Sequence, residues 1–278
     1  MYSRVRLVII GMGHCGELAR SANMTTPTIE DGRKTYDLGK GFFSDLSTGK
    51  VDTELVATKF LTPQPVLWAD GFGKKQVLDV ACGQSHILVC ARIPGVFDTR
   101  VYSSGLNQYG QLGLGDSGPT TNRHELTLVP TLKDANIAKV AAGGCFSMAM
   151  DIFGNVIFGW GRADYGQVGD GTEKDPGAYE ATPKQISFPD LEPGVVLRFT
   201  QIDAASTTAS AITDRGEIYT WGFCESGATG HPGSLIDFTR PMKLENLPDS
   251  AQTEYNVVAA SGGGQHTVLV AQGFSKSD

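Results

Sequence analysis

No run of apolar residues here is long enough to cross a bilayer, and the N-terminal stretch from Val5 to Ile10 is too short even for the core of a secretory leader. Basic clusters are also missing. Nothing exceeds Gly73-Lys74-Lys75, and 23 Lys and Arg against 30 Asp and Glu leave a net charge of −7, so the composition lacks the footprint of a nucleic-acid binder. The five cysteines (Cys15, Cys82, Cys90, Cys145 and Cys224) are scattered, odd in number and never in CxxC spacing. That argues against a zinc site and a disulfide framework, and it fits a reduced, intracellular protein of the cytoplasm or nucleus. With 40% hydrophobic and 19% charged residues, the chain as a whole is not disordered. What it has in excess is glycine, 35 of 278 residues without a G-X-Y period, which points to many tight turns and therefore many short strands.

The first segment imitates something else. Leu7-Val8-Ile9-Ile10 runs into Gly11-Met12-Gly13-His14-Cys15-Gly16, a hydrophobic strand followed by G-x-G-x-x-G, and Glu30 and Asp31 follow at a distance suited to a ribose contact. Taken alone, this would make the chain a dinucleotide-binding oxidoreductase. The helix that should follow is broken by Thr25-Thr26-Pro27-Thr28 and Asp31-Gly32, and no βαβ alternation comes after it.

The glycine pair has counterparts. Gly11 and Gly16 recur as Gly105 and Gly110, Gly161 and Gly166, and Gly222 and Gly227, always five apart and after a strand-like run. Trp160 and Trp221 stand just before two of these pairs, as packing residues. A second recurring piece carries glycine positions 83, 144, 205 (alanine here) and 263, at intervals of 61, 61 and 58 residues. Phe153-Gly154-Asn155 and Asp214-Arg215-Gly216 supply tight turns between strands. Each unit reads as strand, glycine turn, strand, short turn, strand, glycine turn and long connection. One such unit cannot bury both of its faces, so several must pack side by side.

Gly83-Gln84-Ser85-His86, Gly263-Gly264-Gln265-His266-Thr267 and Gly105-Leu106-Asn107-Gln108-Tyr109-Gly110-Gln111-Leu112-Gly113 closely resemble the hallmarks of the RCC1 (regulator of chromosome condensation) repeat family. The resemblance covers most of the chain outside roughly residues 20–55. It implies an all-β propeller of four-stranded blades, usually seven. Here there are three complete units, at about 77–136, 137–198 and 199–254, between a late half-repeat at 1–20 and an early half-repeat at 255–271. The expectation is a single domain over residues 1–278, a four-bladed ring closed by pairing strand residues near 5–10 with the unit at 255–271. An open half-ring that pairs with a second chain is the alternative, as is a part of a longer propeller.

About 30 extra residues enlarge the first connection and include Phe42 and Phe43, and a five-residue insertion lies around Pro94-Gly95-Val96-Phe97-Asp98. Surface loops tolerate such insertions, and propellers also bind through loops on one face. His86 and His266 recur at one repeat position, which marks a structural role such as a hydrogen bond between blades. Just before that position stand Ser85, Phe146, Thr207 and Gln265, none of them acidic, with Asp203 the nearest carboxylate.

The expected function is non-catalytic: a protein partner bound through face loops, with Gln84, Ser85, Phe146, Asp203, Thr207, Gln265, Phe42 and Phe43 as contact candidates. The resemblance implies a second function, guanine-nucleotide exchange on a Ran-like small GTPase. No cofactor, metal or membrane is called for, and the chain is expected to be a monomer or dimer.

Overall fold

The structure is a computed structural model that describes residues 64–66, 68–70, 75–93, 95, 98–188, 196–224, 227–231, 236–245 and 253–275, with backbone pairs at 8–9, 29–30 and 33–34. Phe42, Phe43, Gly11 and Gly16 lie outside the described residues. The order of elements is β1 (Val8–Ile9), β2 (Ile29–Glu30), β3 (Arg33–Lys34) and β4 (Gln64–Pro65), then three four-stranded sheets and a hairpin. The first sheet is β5 (Gln76–Cys82), β6 (His86–Arg92), β7 (Thr99–Gly105) and β8 (Arg123–Leu128). The second is β9 (Ile137–Ala142), β10 (Phe146–Asp151), β11 (Ile157–Arg162) and β12 (Tyr179–Gln185). The third is β13 (Phe199–Ala204), β14 (Thr208–Thr213), β15 (Ile218–Gly222) and β16 (Phe238–Lys243), and the hairpin is β17 (Thr253–Gly262) with β18 (Thr267–Ser275). Each four-stranded sheet is an antiparallel meander of consecutive strands.

These are propeller blades, because the apolar residues are buried between sheets and not in one central mass. One cluster joins Leu88 and Cys90 of the first blade to Val140, Ala142 and Trp160 of the second. The next joins Phe146, Met148 and Met150 to Ile202, Ala209 and Trp221 of the third. A further cluster joins Ile212 and Ile218 to Val257 and Ala260 of the hairpin. Along each second strand, alternate residues face the blade before and the blade after, so β10 and β14 are buried throughout.

Tight hairpins hold the far side of the arc. Asp151 accepts hydrogen bonds from the backbone of Asn155 and Val156 at 2.7 and 2.8 Å, which closes the turn before β11. The turn tips then bond the following blade: Phe199 N–H donates to Gly154 O at 2.7 Å, and Val257 N–H donates to Gly216 O at 2.9 Å.

Tryptophan supplies the opposite tie. Trp160 Nε1–H donates to Gln111 O at 2.9 Å, and Trp221 Nε1–H donates to Gln167 O at 3.0 Å, each reaching back to the glycine turn of the preceding blade. Gly113 and Gly169 lie under these indoles. They have φ of +72° and +77°, and a Cβ on either would come within 2.8 and 2.7 Å of the ring nitrogen. The turn therefore needs glycine twice over, for its backbone conformation and for the space.

The ring is not closed. Val8 and Ile9 pair with Pro65 and Gln64, whereas β18 pairs only with β17 among the described residues. Among the described residues the expected pairing of residues near 5–10 with 255–271 is not seen, and β1 pairs instead with β4. Val66, next to that pair, packs with Ile87, Val89, Tyr102 and Leu126. The pairing of β1 with β4 is antiparallel, so this strand is not the parallel first strand that a dinucleotide-binding βαβ unit requires.

Truncation of the fully buried Trp160 removes an inter-blade hydrogen bond and an indole's worth of packing together. Trp160→Ala should lower the free energy of unfolding by about 3–5 kcal/mol in a urea titration. A loss under about 1 kcal/mol would show that the blades do not depend on this tie.

Candidate partner-binding face

Four turns between first and second strands line the inner rim of one face. Each is closed by the same backbone bond: Gly83 N–H to His86 O at 2.9 Å, Gly143 to Phe146 at 2.9 Å, Ala205 to Thr208 at 2.8 Å and Gly263 to His266 at 2.8 Å. This places the repeat at 83, 143, 205 and 263. The second unit was expected at Gly144, and the Gly143-Gly144 doublet explains the slip of one residue. Phe146 therefore occupies the repeat histidine's position, fully buried, and Cys145 takes the loop position that Phe146 was expected to hold.

The aromatic ring at this position lies on the glycine. A Cβ on Gly143 would come within 2.2 Å of the Phe146 ring and 2.3 Å of Ala205 O, and one on Gly83 within 2.3 Å of the His86 ring. The third unit has Ala205 and Thr208 instead, a larger turn residue with a smaller partner.

Neighbouring turns are laced together. Gln84 N–H donates to Gly143 O at 3.2 Å, Gly144 N–H to Ser206 O at 2.9 Å, and Ser206 N–H to Gly263 O at 3.2 Å. They border an open depression of about 360 Å³ lined by residues 82–84, 142–144, 204–206 and 262–264. Gln84, Ser206 and Gln265 are exposed on the rim, and Ser85, Cys145 and Thr207 are half-buried. The carbonyls of these last three accept from Leu106, Arg162 and Phe223, which fixes the inner rim to the outer loops.

Asp203 is not a free acid of this face. Its Oδ2 accepts from Gly262 N–H at 2.7 Å, a tie between the third blade and the hairpin, and burial pushes its carboxyl above the ordinary value despite that bond. Asp79 serves similarly, accepting from Val140 N–H at 2.9 Å.

His86 joins the first two blades. Ser147 donates its single hydroxyl proton to Gln111 O at 2.8 Å, so the 2.9 Å contact between His86 Nε2 and Ser147 Oγ requires the histidine to donate. Complete burial pushes His86 down to about 4, opposed by the Phe146 backbone, and it is neutral near pH 7. His266, at the same position in the hairpin, is exposed.

The outer loops carry a feature not anticipated from sequence. The Arg162 guanidinium lies 5.1 Å from the Tyr109 ring and 4.9 Å from the Tyr165 ring, and Tyr165 meets Phe223 edge-on at 5.1 Å. Asp164 holds Arg162 in place through two 2.8 Å bonds. A half-buried ladder of tyrosine, arginine, tyrosine and phenylalanine thus runs across all three blades. Its signal was present in the sequence: a tyrosine before two of the second glycines, and a large residue after the Trp-Gly pairs. The nearby loop is stiffened by buried Asn107, which accepts from Leu112 N–H and donates to Asp116 O.

Comparison with known proteins gives the same architecture. The profile of the regulator of chromosome condensation (RCC1) repeat matches residues 98–150, 155–212 and 215–270, more than half of the chain. Each match runs from the third strand of one blade to the second strand of the next. The ultraviolet-B receptor UVR8 of Arabidopsis thaliana is 30% identical over 90% of this chain and 49% of its own length. Protein RCC1 of Candida albicans is 31% identical over 71% of this chain and 42% of its own. The chain thus spans about half the length or less of these relatives. Among solved structures, yeast RCC1 (Prp20) bound to Kap60 superposes on 98% of this chain and 51% of its own, with a TM-score of 0.67 at 23% identity.

Two predictions come from the inner rim. Gly143→Ala should destabilise by about 1–3 kcal/mol through overpacking, whereas Gly263→Ala, which would meet only the exposed His266 ring, should be near neutral in the same denaturation assay. The sign for His86 follows from its lowered value: the unfolded chain binds the proton first, so its contribution is complete above about pH 6.5 and is lost as the pH falls toward 4. Stability should fall by about 3 kcal/mol over that window on this account, and the His86 part of the slope should vanish in His86→Phe.

Proposed function

Because the chain belongs to the regulator of chromosome condensation (RCC1) repeat family, we propose that it works by binding another protein on the face just described, making and breaking no bond. The observation that carries this reading is the convergence of the inner-rim turns and the outer loops on one rigid surface. That surface offers exposed amides and hydroxyls from Gln84, Ser206 and Gln265 beside the half-buried aromatic and arginine ladder, a mixture suited to a protein surface. Ser85, Thr207 and Cys145 contribute at the edge. The segment 20–55, which carries Phe42 and Phe43 and lies between β1 and β4 in the sequence, is the further candidate for recognition.

Guanine-nucleotide exchange on a Ran-like GTPase is the second reading. It is favoured by the likeness to Protein RCC1 of Candida albicans and by a solved relative, Prp20p of Saccharomyces cerevisiae, described with its binding to Gsp1p and histones. We place it second because Asp203, the acid nearest the inner rim, is committed to Gly262.

Two assays separate the readings. Pull-downs with the full chain should lose their specific partner set in Gln84→Arg/Gln265→Arg and retain it in Phe153→Arg, on the exposed hairpin of the opposite face. The reverse pattern would move the binding site to the other side. Release of a fluorescent GDP analogue from Ran should not accelerate at micromolar protein, and clear acceleration would promote exchange to first place.

A further inference from the structure

The glycine turns of the first two blades lead into equivalent loops that differ at one position. Gly113 and Gly169 lie under the indoles of the following blades. Two residues on, Gly115 N–H donates to Ala181 O at 2.9 Å and Gly171 N–H to Thr239 O at 2.8 Å. The next residue is Asp116 in the first loop and Thr172 in the second. Asp116 accepts from Asn107 and forms an ion pair with Arg123 of its own blade. The neighbouring blade sets Thr182 against that loop, its Cγ2 3.9 Å from where a Cβ on Gly115 would stand. Around Thr172 the roles are exchanged. Arg240 takes the place of Thr182, its Nε and Nη2 3.8 and 3.9 Å from where a Cβ on Gly171 would stand. Arg240 is exposed and makes no hydrogen bond or ion pair among the described residues. An uncommitted cation thus stands beside a position that holds a carboxylate in one repeat and a neutral hydroxyl in the next.

The hydroxyl is accessible. Thr172 is exposed, and residues 172–175 belong to no strand or helix. Glu173, Lys174, Asp175 and Ala178 border an open recess of about 540 Å³, so this segment is not packed tightly onto its blade. Thr172 Oγ1 donates to Asp170 Oδ1 at 2.7 Å without being covered by it. Lys174 is held by Asp170 at 2.8 Å and Glu180 at 2.5 Å. The side chains of Glu173 and Asp175 are exposed and form no ion pair among the described residues. An exposed hydroxyl followed by free acids one and three residues later suits a protein kinase that selects acidic substrates.

We propose that Thr172 is a phosphorylation site whose phosphate is received by Arg240 of the third blade. In the transfer, Thr172 Oγ1 forms a bond to the γ-phosphorus of a nucleoside triphosphate held by the kinase. The bond from that phosphorus to the β–γ bridging oxygen breaks, the nucleoside diphosphate leaves, and the hydroxyl proton passes to the kinase's base. The product carries a charge of about −1.5 to −2 at neutral pH. Arg240 meets it with charge-assisted hydrogen bonds across the blade boundary, as Arg123 meets Asp116 within the first blade. The modified segment also reaches the recognition face. Gly177 N–H donates to Asp164 Oδ2 at 2.8 Å, and Asp164 holds Arg162 of the aromatic ladder. Phosphate at this position therefore adds charge at the edge of that face and fixes the loop beside it. This consequence rests on the proposed binding face, whereas the modification site itself does not.

The test uses the full chain and needs no partner. With magnesium ATP and an acid-directed serine/threonine kinase, the expected product carries phosphate on Thr172, read by mass spectrometry of the peptide spanning 163–174. Thr172→Val should lose that phosphate. Phosphorus NMR of the product then follows the second ionisation of the phosphate against pH. The charged groups around it are Asp170, Glu173, Lys174 and Asp175 of its own segment, Glu180 and Lys184 of β12, and Arg240 of β16. All but Arg240 are common to the unmodified sequence and Arg240→Ala. The midpoint should rise by about one pH unit in Arg240→Ala, because the guanidinium favours the dianion. Phosphate confined to other residues, or no phosphate at all, overturns the site. Equal midpoints in the two proteins overturn the role of Arg240. Neither readout depends on a partner, so a failure of the proposed binding face shows separately in the pull-downs.

Discussion

Everything in this molecule depends on one blade resting on the turn of the blade before it. An indole, a hydroxyl or a ring from the later blade reaches back to a backbone carbonyl or a bare Cα in the earlier one. Trp160 and Ser147 both donate to Gln111 O, Trp221 donates to Gln167 O, and Thr267 donates to Ala228 O. The indoles need the glycines beneath them, because any side chain at Gly113 or Gly169 would occupy the ring's place. A single meander of four short strands cannot bury both faces. It becomes stable only through these reciprocal contacts, which is why the apolar clusters lie between sheets. In the first four-stranded blade Ser104 stands where Trp160 and Trp221 stand later, and its buried hydroxyl has no hydrogen-bond partner among the described residues.

The same ties determine what is left for recognition. The carbonyls of Ser85, Cys145 and Thr207 are bonded to the outer loops, Asp79 and Asp203 to neighbouring strands, and His86 to Ser147. Groups that look reactive in sequence are thus committed to holding blades together. The thiols behave alike: Cys90 donates to Ile137 O of the next blade at 3.1 Å, and burial pushes it up to about 12. The surface that remains is rigid, weakly charged on its inner rim and aromatic further out, and it suits docking more than proton transfer.

Much of this was legible in the sequence because glycine positions are dictated by steric contact. The pairs five apart gave the blade turns, and the imitation of a nucleotide loop at Gly11–Gly16 was exposed by its three counterparts. Other features escaped for identifiable reasons. Two adjacent glycines, Gly143 and Gly144, left the register of the second unit ambiguous by one residue. Only the ring of Phe146 lying on Gly143 resolves it, which removes Phe146 from the surface. The role of Asp203 depended on a partner 59 residues away. The cross-blade ladder sets the equivalent tyrosines Tyr109 and Tyr165 against Arg162 and Phe223, the residues after the next Trp-Gly pair, and a linear pattern does not say which repeat positions meet across a blade boundary. Closure was inferred from two half-repeats, and nothing in a linear pattern says whether two ends of an arc can reach each other.

The central claim is that each blade stands only by resting on the turn of the blade before it. Hydrogen–deuterium exchange of Trp221→Ala tests it most directly, because that indole ties the third blade to the second through Gln167 O. Peptides covering β10 and β14, on either side of the shared apolar cluster, should lose protection together in the variant. If both keep the protection they have in the unmodified protein, the blades stand independently and the account fails.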